Sequence, residues 1–160
     1  YQQAVALYHG PLLAGFMVKE SEPFQEWLRT RQLFFHKQVL QVLHDLSDSY
    51  EKNREYELAQ QYAQQQITLE PWSEIAHQQL MRVLAKSGQR AAALAQYEAC
   101  RQILEQELGV KPDAKTTRLH KQIREGLFQG GTDIMHSAPR HTLPMPLTPF
   151  IGREVELAQL

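Results

Sequence analysis

The chain has 160 residues, 42% of them hydrophobic, and 17 Lys and Arg stand against 18 Asp and Glu for a formal net charge of −1. That suits one domain with a real core plus an appendage, and the lack of any overall basic excess makes the chain as a whole a poor nucleic-acid binder. The single cysteine, Cys100, excludes an internal disulfide and suits a reducing cytosol; with no run apolar enough to span a membrane and no signal peptide, a cytoplasmic protein is expected.

In chain order, Tyr1 to Tyr8 reads as a short helix stopped by His9-Gly10-Pro11. The segment to Pro23 is a loop whose Leu12, Leu13 and Phe16 are expected to cover an edge of the core. From Phe24 a long helix runs to about Lys52, with Trp27, Leu28, Leu33, Phe34, Val39, Leu43, Leu46 and Tyr50 near helical spacing. Ser21 is placed to cap it. Asn53 and Arg54 make a turn, and Tyr56 to about Leu69 forms the next helix, packing Leu58, Ala59, Tyr62, Ala63 and Ile67. Gln60, Gln61, Gln64, Gln65 and Gln66 give this helix its polarity without charge. Pro71 follows; Ser73 caps a helix over Glu74 to Lys86; and Ser87-Gly88 turns the chain, with Gly88 free to take positive φ. Arg90 to about Leu108 is a further helix, broken by Gly109-Val110-Lys111-Pro112. Asp113 caps a last helix to about Leu127 with Leu119, Ile123 and Leu127 as its stripe. Residues 128–149 read as a linker, Gly-rich at Gly130-Gly131 and Pro-rich from Pro144 to Pro149.

Two stretches of this pattern repeat at 34 residues. Ala59 aligns with Ala93, Leu46 with Leu80, Tyr50 with Leu84, Leu69 with Ile103 and Arg54 with Gly88. This is the period of the tetratricopeptide repeat, in which each unit is a pair of antiparallel helices. One pair cannot bury its apolar face alone, so pairs stack into a solenoid. The predicted fold is therefore all-α: a tetratricopeptide-like solenoid of two helical hairpins with an N-terminal extension, a closing helix and a flexible C-terminal linker. Such solenoids mostly bind proteins, which points away from an enzyme.

Residue chemistry agrees with that. Gly10 and Gly15 have phosphate-loop spacing, but Phe16 and Met17 stand where Lys and Ser or Thr are needed, so the loop reads as a structural turn. His36 and His44 are two helical turns apart, and His136 and His141 fall in the linker, so no metal site is expected. Cys100 sits at a small helix–helix contact position and is expected to be buried and inert. Trp27 and Phe34 are expected in the core. Phe35, about 100° further around the helix, could reach a second surface and serve self-association. Arg29, Arg31, Arg54, Arg82, Arg90 and Arg101 alternate with acids and form no stripe, as on a solvated face. No catalytic, cofactor or metal residues are assigned. In this repeat the first helix of each pair lines the concave surface. Its register gives a candidate protein-interaction groove of Gln41, His44, Asp48, Glu51 and Lys52 from the first pair and Gln78, Arg82 and Lys86 from the second.

Four runs carry a family resemblance. They are Tyr8-His9-Gly10-Pro11-Leu12-Leu13-Ala14-Gly15-Phe16, Phe24-Gln25-Glu26-Trp27-Leu28, the stretch from Gly88 through Ala93-Leu94 and Tyr97 to Cys100, and Glu107-Leu108-Gly109-Val110-Lys111-Pro112. In order and spacing, residues 1–127 resemble the bacterial transcriptional activator domain of SARP-type (antibiotic-regulatory) transcription factors. Thr148-Pro149-Phe150-Ile151-Gly152-Arg153-Glu154-Val155-Glu156-Leu157 is similar to the entry of the NTPase module of STAND-type regulators. The resemblance implies a winged-helix DNA-binding domain upstream and an NTPase switch downstream, its start truncated at residues 150–160. The implied partners are those two domains, a second copy of the protein and RNA polymerase. DNA would be held only through the upstream domain, and ATP or another nucleotide only in the longer protein. Because the chain starts with Tyr1 inside a helical pattern and stops at Leu160 as a new one begins, it is expected to be a piece of a longer protein. The alternatives are a generic tetratricopeptide scaffold with no DNA role, and an arm of a signalling NTPase with an enzymatic output.

Overall fold

A computed structural model describes residues 2–8, 10–16 and 21–127. The linker expected at 128–149 and the NTPase start expected at 150–160 lie outside the described residues. Among the described residues six helices follow one another: α1 (Gln2–Ala6), α2 (Glu22–Lys52), α3 (Tyr56–Leu69), α4 (Glu74–Lys86), α5 (Arg90–Leu108) and α6 (Ala114–Arg124). The described residues contain no strand. α2 pairs with α3 and α4 with α5; α3 packs on α4, and α6 closes the stack against α4 and α5. The fold is an all-α stack of helical hairpins.

The helices form where the sequence permits an unbroken backbone. α2 contains no glycine, and its proline, Pro23, lies in the first turn, where a missing N–H costs nothing. Matching turns separate α2 from α3 and α4 from α5. Glu55 N–H donates to the Tyr50 carbonyl at 2.9 Å, and 34 residues later Gln89 N–H donates to the Leu84 carbonyl at 2.9 Å. Each is the six-to-one bond that closes a helix through a left-handed residue. Those residues are Arg54 at φ 64° and Gly88 at φ 82°, the pair that the 34-residue alignment matches. Glycine adopts this conformation freely, whereas Arg54 carries a strain of roughly 1–2 kcal/mol. Of the three expected caps, Asp113 accepts from Thr116 N–H at 2.6 Å. Ser21 and Ser73 occupy the N-cap positions without a side-chain cap bond.

The core lies between the hairpins. Ala63 and Ile67 of α3, Ala76, Leu80, Met81 and Leu84 of α4, Ala93 of α5 and Ile123 of α6 form one buried cluster. α4 is its centre and buries most of its circumference, Val83 included. Ala59 and Ala93, aligned in sequence, are both fully buried, so helix backbones approach closely at equivalent points of the two hairpins.

Several sequence expectations change. Trp27 and Phe34, expected in the core, are 47% and 50% exposed. The cause is unequal helix length: α2 runs about 46 Å and α3 about 21 Å, so the first half of α2 has no hairpin partner beside it. α1 and the 10–16 loop reach that half, Gln32 donating to the Leu12 carbonyl at 2.7 Å, and Glu70 at the end of α3 meets His36 at 3.0 Å. Leu33, Leu13, Phe16 and Leu58 are likewise exposed. Gln66, grouped with the surface glutamines, is buried in the hairpin interface. The last helix ends at Arg124, three residues early, with Gly126 at φ 73°, and Leu127 is exposed.

Candidate functional site

The eight groove candidates all lie on α2 and α4, and all but Lys52, which adjoins Glu51, are three or four residues apart, so each helix presents them as a stripe. The structure brings four of them together. The Arg82 guanidinium donates from Nε to both Glu51 oxygens, at 2.8 and 3.0 Å, and from Nη2 to Asp48 Oδ1 at 2.6 Å. Lys86 Nζ donates to Glu51 Oε1 at 2.5 Å. α2 thus supplies two acids and α4 two bases, and the pairs tie the first hairpin to the second. The Glu51 side chain is only 5% exposed, whereas Asp48, Arg82 and Lys86 keep about a third of their surface in water.

The remaining four point elsewhere. Gln78 donates to Thr116 Oγ1 at 2.8 Å and so binds the closing helix. Gln41 donates to Asp45 one turn along its own helix at 2.9 Å. His44 places Nε2 3.6 Å from Asp48 Oδ2, while its buried Nδ1 meets no partner among the described residues. Lys52 is exposed and forms no ion pair among the described residues.

A polar relay behind this cluster escaped the sequence reading. Gln79 is fully buried and donates to Asp48 Oδ1 at 2.7 Å and to the His44 carbonyl at 3.0 Å. Its own Oε1 accepts from Gln66 Nε2 at 2.6 Å. A buried amide must satisfy its donors and acceptor internally, and this one does so across three helices. The available signal was its place on the apolar face of α4, between Ala76, Leu80 and Val83.

His77 forms a second buried joint. Its Nε2–H donates to the Pro71 carbonyl at 2.8 Å, and its Nδ1 accepts from Gln96 Nε2 at 2.6 Å. Both contacts suit the neutral ring. Burial, foremost, pulls its pKa below the ordinary 6.5, against the Pro71 hydrogen bond and the Glu74 charge, which raise it. His120, stacked on Tyr97 at 4.0 Å, shifts in the same direction, through burial first and then Arg124. A histidine held neutral in the fold takes up protons on unfolding. Stability is therefore full above about pH 6.5 and falls as the pH drops below it. Thermal melts at pH 7 and pH 5 should show this loss, and His77→Gln, which retains a donor and an acceptor, should make the acid limb shallower. Identical acid limbs would remove His77 as the titrating group.

None of this is reaction chemistry. Cys100 is fully buried, and desolvation, then Glu74 and Asp113, push its thiol up to about 12, far from a thiolate nucleophile. Among the described residues no group of three or more His, Cys, Asp or Glu could hold a metal ion. The clustered carboxylates are occupied by the cations beside them.

A stack of helical hairpins tied by cross-hairpin ion pairs belongs to the helical-repeat class of all-α proteins. Within that class the chain matches the family described as bacterial transcriptional activator domain over residues 1–124, and it belongs to that family. The match ends with α6, at Arg124. Comparison with curated proteins gives no match. Membership makes this a regulatory domain of the transcription-activator type.

Proposed function

We propose that this domain is a protein-interaction module of a bacterial transcriptional activator, coupling a winged-helix DNA-binding domain upstream to an NTPase switch downstream. The carrying observation is the family match over residues 1–124. Asp48, Glu51, Arg82 and Lys86 make the two hairpins one unit, able to pass a displacement from one neighbour to the other. Gln41, His44 and Lys52, not tied to α4 by their side chains, are the groove positions left for a partner. Partners of this kind include the protein's own flanking domains, a second copy and RNA polymerase. No described helix is long and apolar enough to cross a membrane. The domain itself catalyses nothing, and ATP would be used by the downstream module.

Titrating residues 1–160 with labelled promoter duplex and with ATP tests the division of labour. The expected result is no salt-resistant, sequence-specific DNA binding and no ATP turnover by this chain, while the intact regulator binds its promoter. Either activity in the chain alone would place the function in the wrong part of the protein.

A further inference from the structure

The near-zero net charge conceals a segregation. Residues 111–125 hold five Lys and Arg against two carboxylates, Asp113 and Glu125. Asp113 is engaged as the cap of α6, and Glu125 lies 3.9 Å from Lys121. Thr116 and Ile123 bury one side of α6; Lys115, Arg118 and Lys121 are exposed on the other. At 100° per residue these three span about 120° of arc and about 9 Å of axis.

Helix physics does not account for them. Cations stabilise the last turn of a helix, which explains Lys121 and Arg124, but they oppose the dipole in the first turn, where Lys115 stands with the Asp113 carboxylate at the cap to offset it in part. Arg118 has no acid three or four residues away in either direction, and neither Lys115 nor Arg118 forms an ion pair among the described residues. A positive face on which Lys115 and Arg118 carry no ion pair among the described residues fits a polyanion.

We infer that the outer face of α6 contacts the phosphate backbone of duplex DNA, adding non-specific affinity to the intact activator. This rests on the functional reading above, which brings duplex DNA to the same molecule. Three cations on flexible stems, spread over about 9 Å of helix axis, can each reach a backbone phosphate of one duplex. The side chains are single cations on flexible stems with no base-reading partner nearby, so they position rather than specify.

The test uses the intact regulator and a fluorescein-labelled random-sequence duplex, titrated from about 50 to about 200 mM salt. The combined Lys115→Gln, Arg118→Gln and Lys121→Gln variant should weaken binding by about tenfold or more and flatten the log-affinity against log-salt slope by about 2–3. Neutralising Arg29, Lys37 and Arg101 together, the same charge change elsewhere, should leave the slope unaltered. Matching thermal melts of the two variants establish that both fold. An unchanged slope in the α6 variant, or an equal loss in both variants, overturns the contact. Loss of promoter activation with unchanged DNA affinity also overturns it, in favour of an acidic protein on α6. An intact protein that binds no duplex at any salt overturns the regulator reading and this contact with it.

Discussion

Arg82→Met should lower the stability of the domain by about 2–3 kcal/mol. The substitution keeps the aliphatic stem but leaves the buried Glu51 carboxylate with Lys86 as its remaining cation. Removing one partner of a buried pair is costly because the other stays buried and uncompensated. Water reaches the Arg82 and Lys86 ends, which holds the loss at or below the low end of the range for such pairs. Adding Glu51→Met to Arg82→Met should recover part of the loss, since the buried carboxylate is then gone and Asp48, a third exposed, keeps its bond from Gln79. Urea denaturation of the two single variants and the double variant measures the coupling. A loss under about 0.5 kcal/mol for Arg82→Met would make the pair a surface ornament rather than a joint.

Ala93→Leu should cost about 1–3 kcal/mol, while Gln64→Leu should stay within about 0.5 kcal/mol. Ala93 is fully buried in the cluster formed by α3, α4, α5 and α6, where an added isobutyl group must push helices apart. Gln64 is exposed on α3. Both variants introduce the same good helix former, so the difference expected between them comes from the buried against the exposed setting. Equal melting shifts would show that the 34-residue register is misplaced.

The hairpins were legible in the sequence because their signals are local and doubled. Ala59 and Ala93 announce close helix contacts; Arg54 and Gly88 announce turns; Asp113 announces a cap. Each rests on backbone geometry that a few neighbouring residues determine. Trp27 and Phe34 failed for the opposite reason. Their spacing on α2 is apolar enough for a core, but burial depends on how far a different helix, α3, extends alongside. The groove was only half legible. Periodicity assigned Asp48, Glu51, Arg82 and Lys86 to facing stripes, yet it carries no information on whether facing charges meet a ligand or each other. Gln66 and Gln79 were missed because composition groups glutamines with the surface, while two of them facing across an interface can satisfy one another. The basic face of α6 was masked by averaging charge over the whole chain.

The Asp48–Arg82 pair also bears on how such a domain could have grown. The two residues are 34 apart, so they occupy the same position in successive hairpins and carry opposite charge. Duplicating the first hairpin in tandem would set Asp48 against a second Asp48; duplicating the second would set Arg82 against another Arg82. Either insertion would have to be accompanied by a charge reversal before the new seam could close. The seam thus fixes the order of the hairpins and penalises slippage of the array by one unit during gene duplication. The next position in that register, on α6, is the uncharged and buried Thr116, which offers no charge for a further hairpin to match.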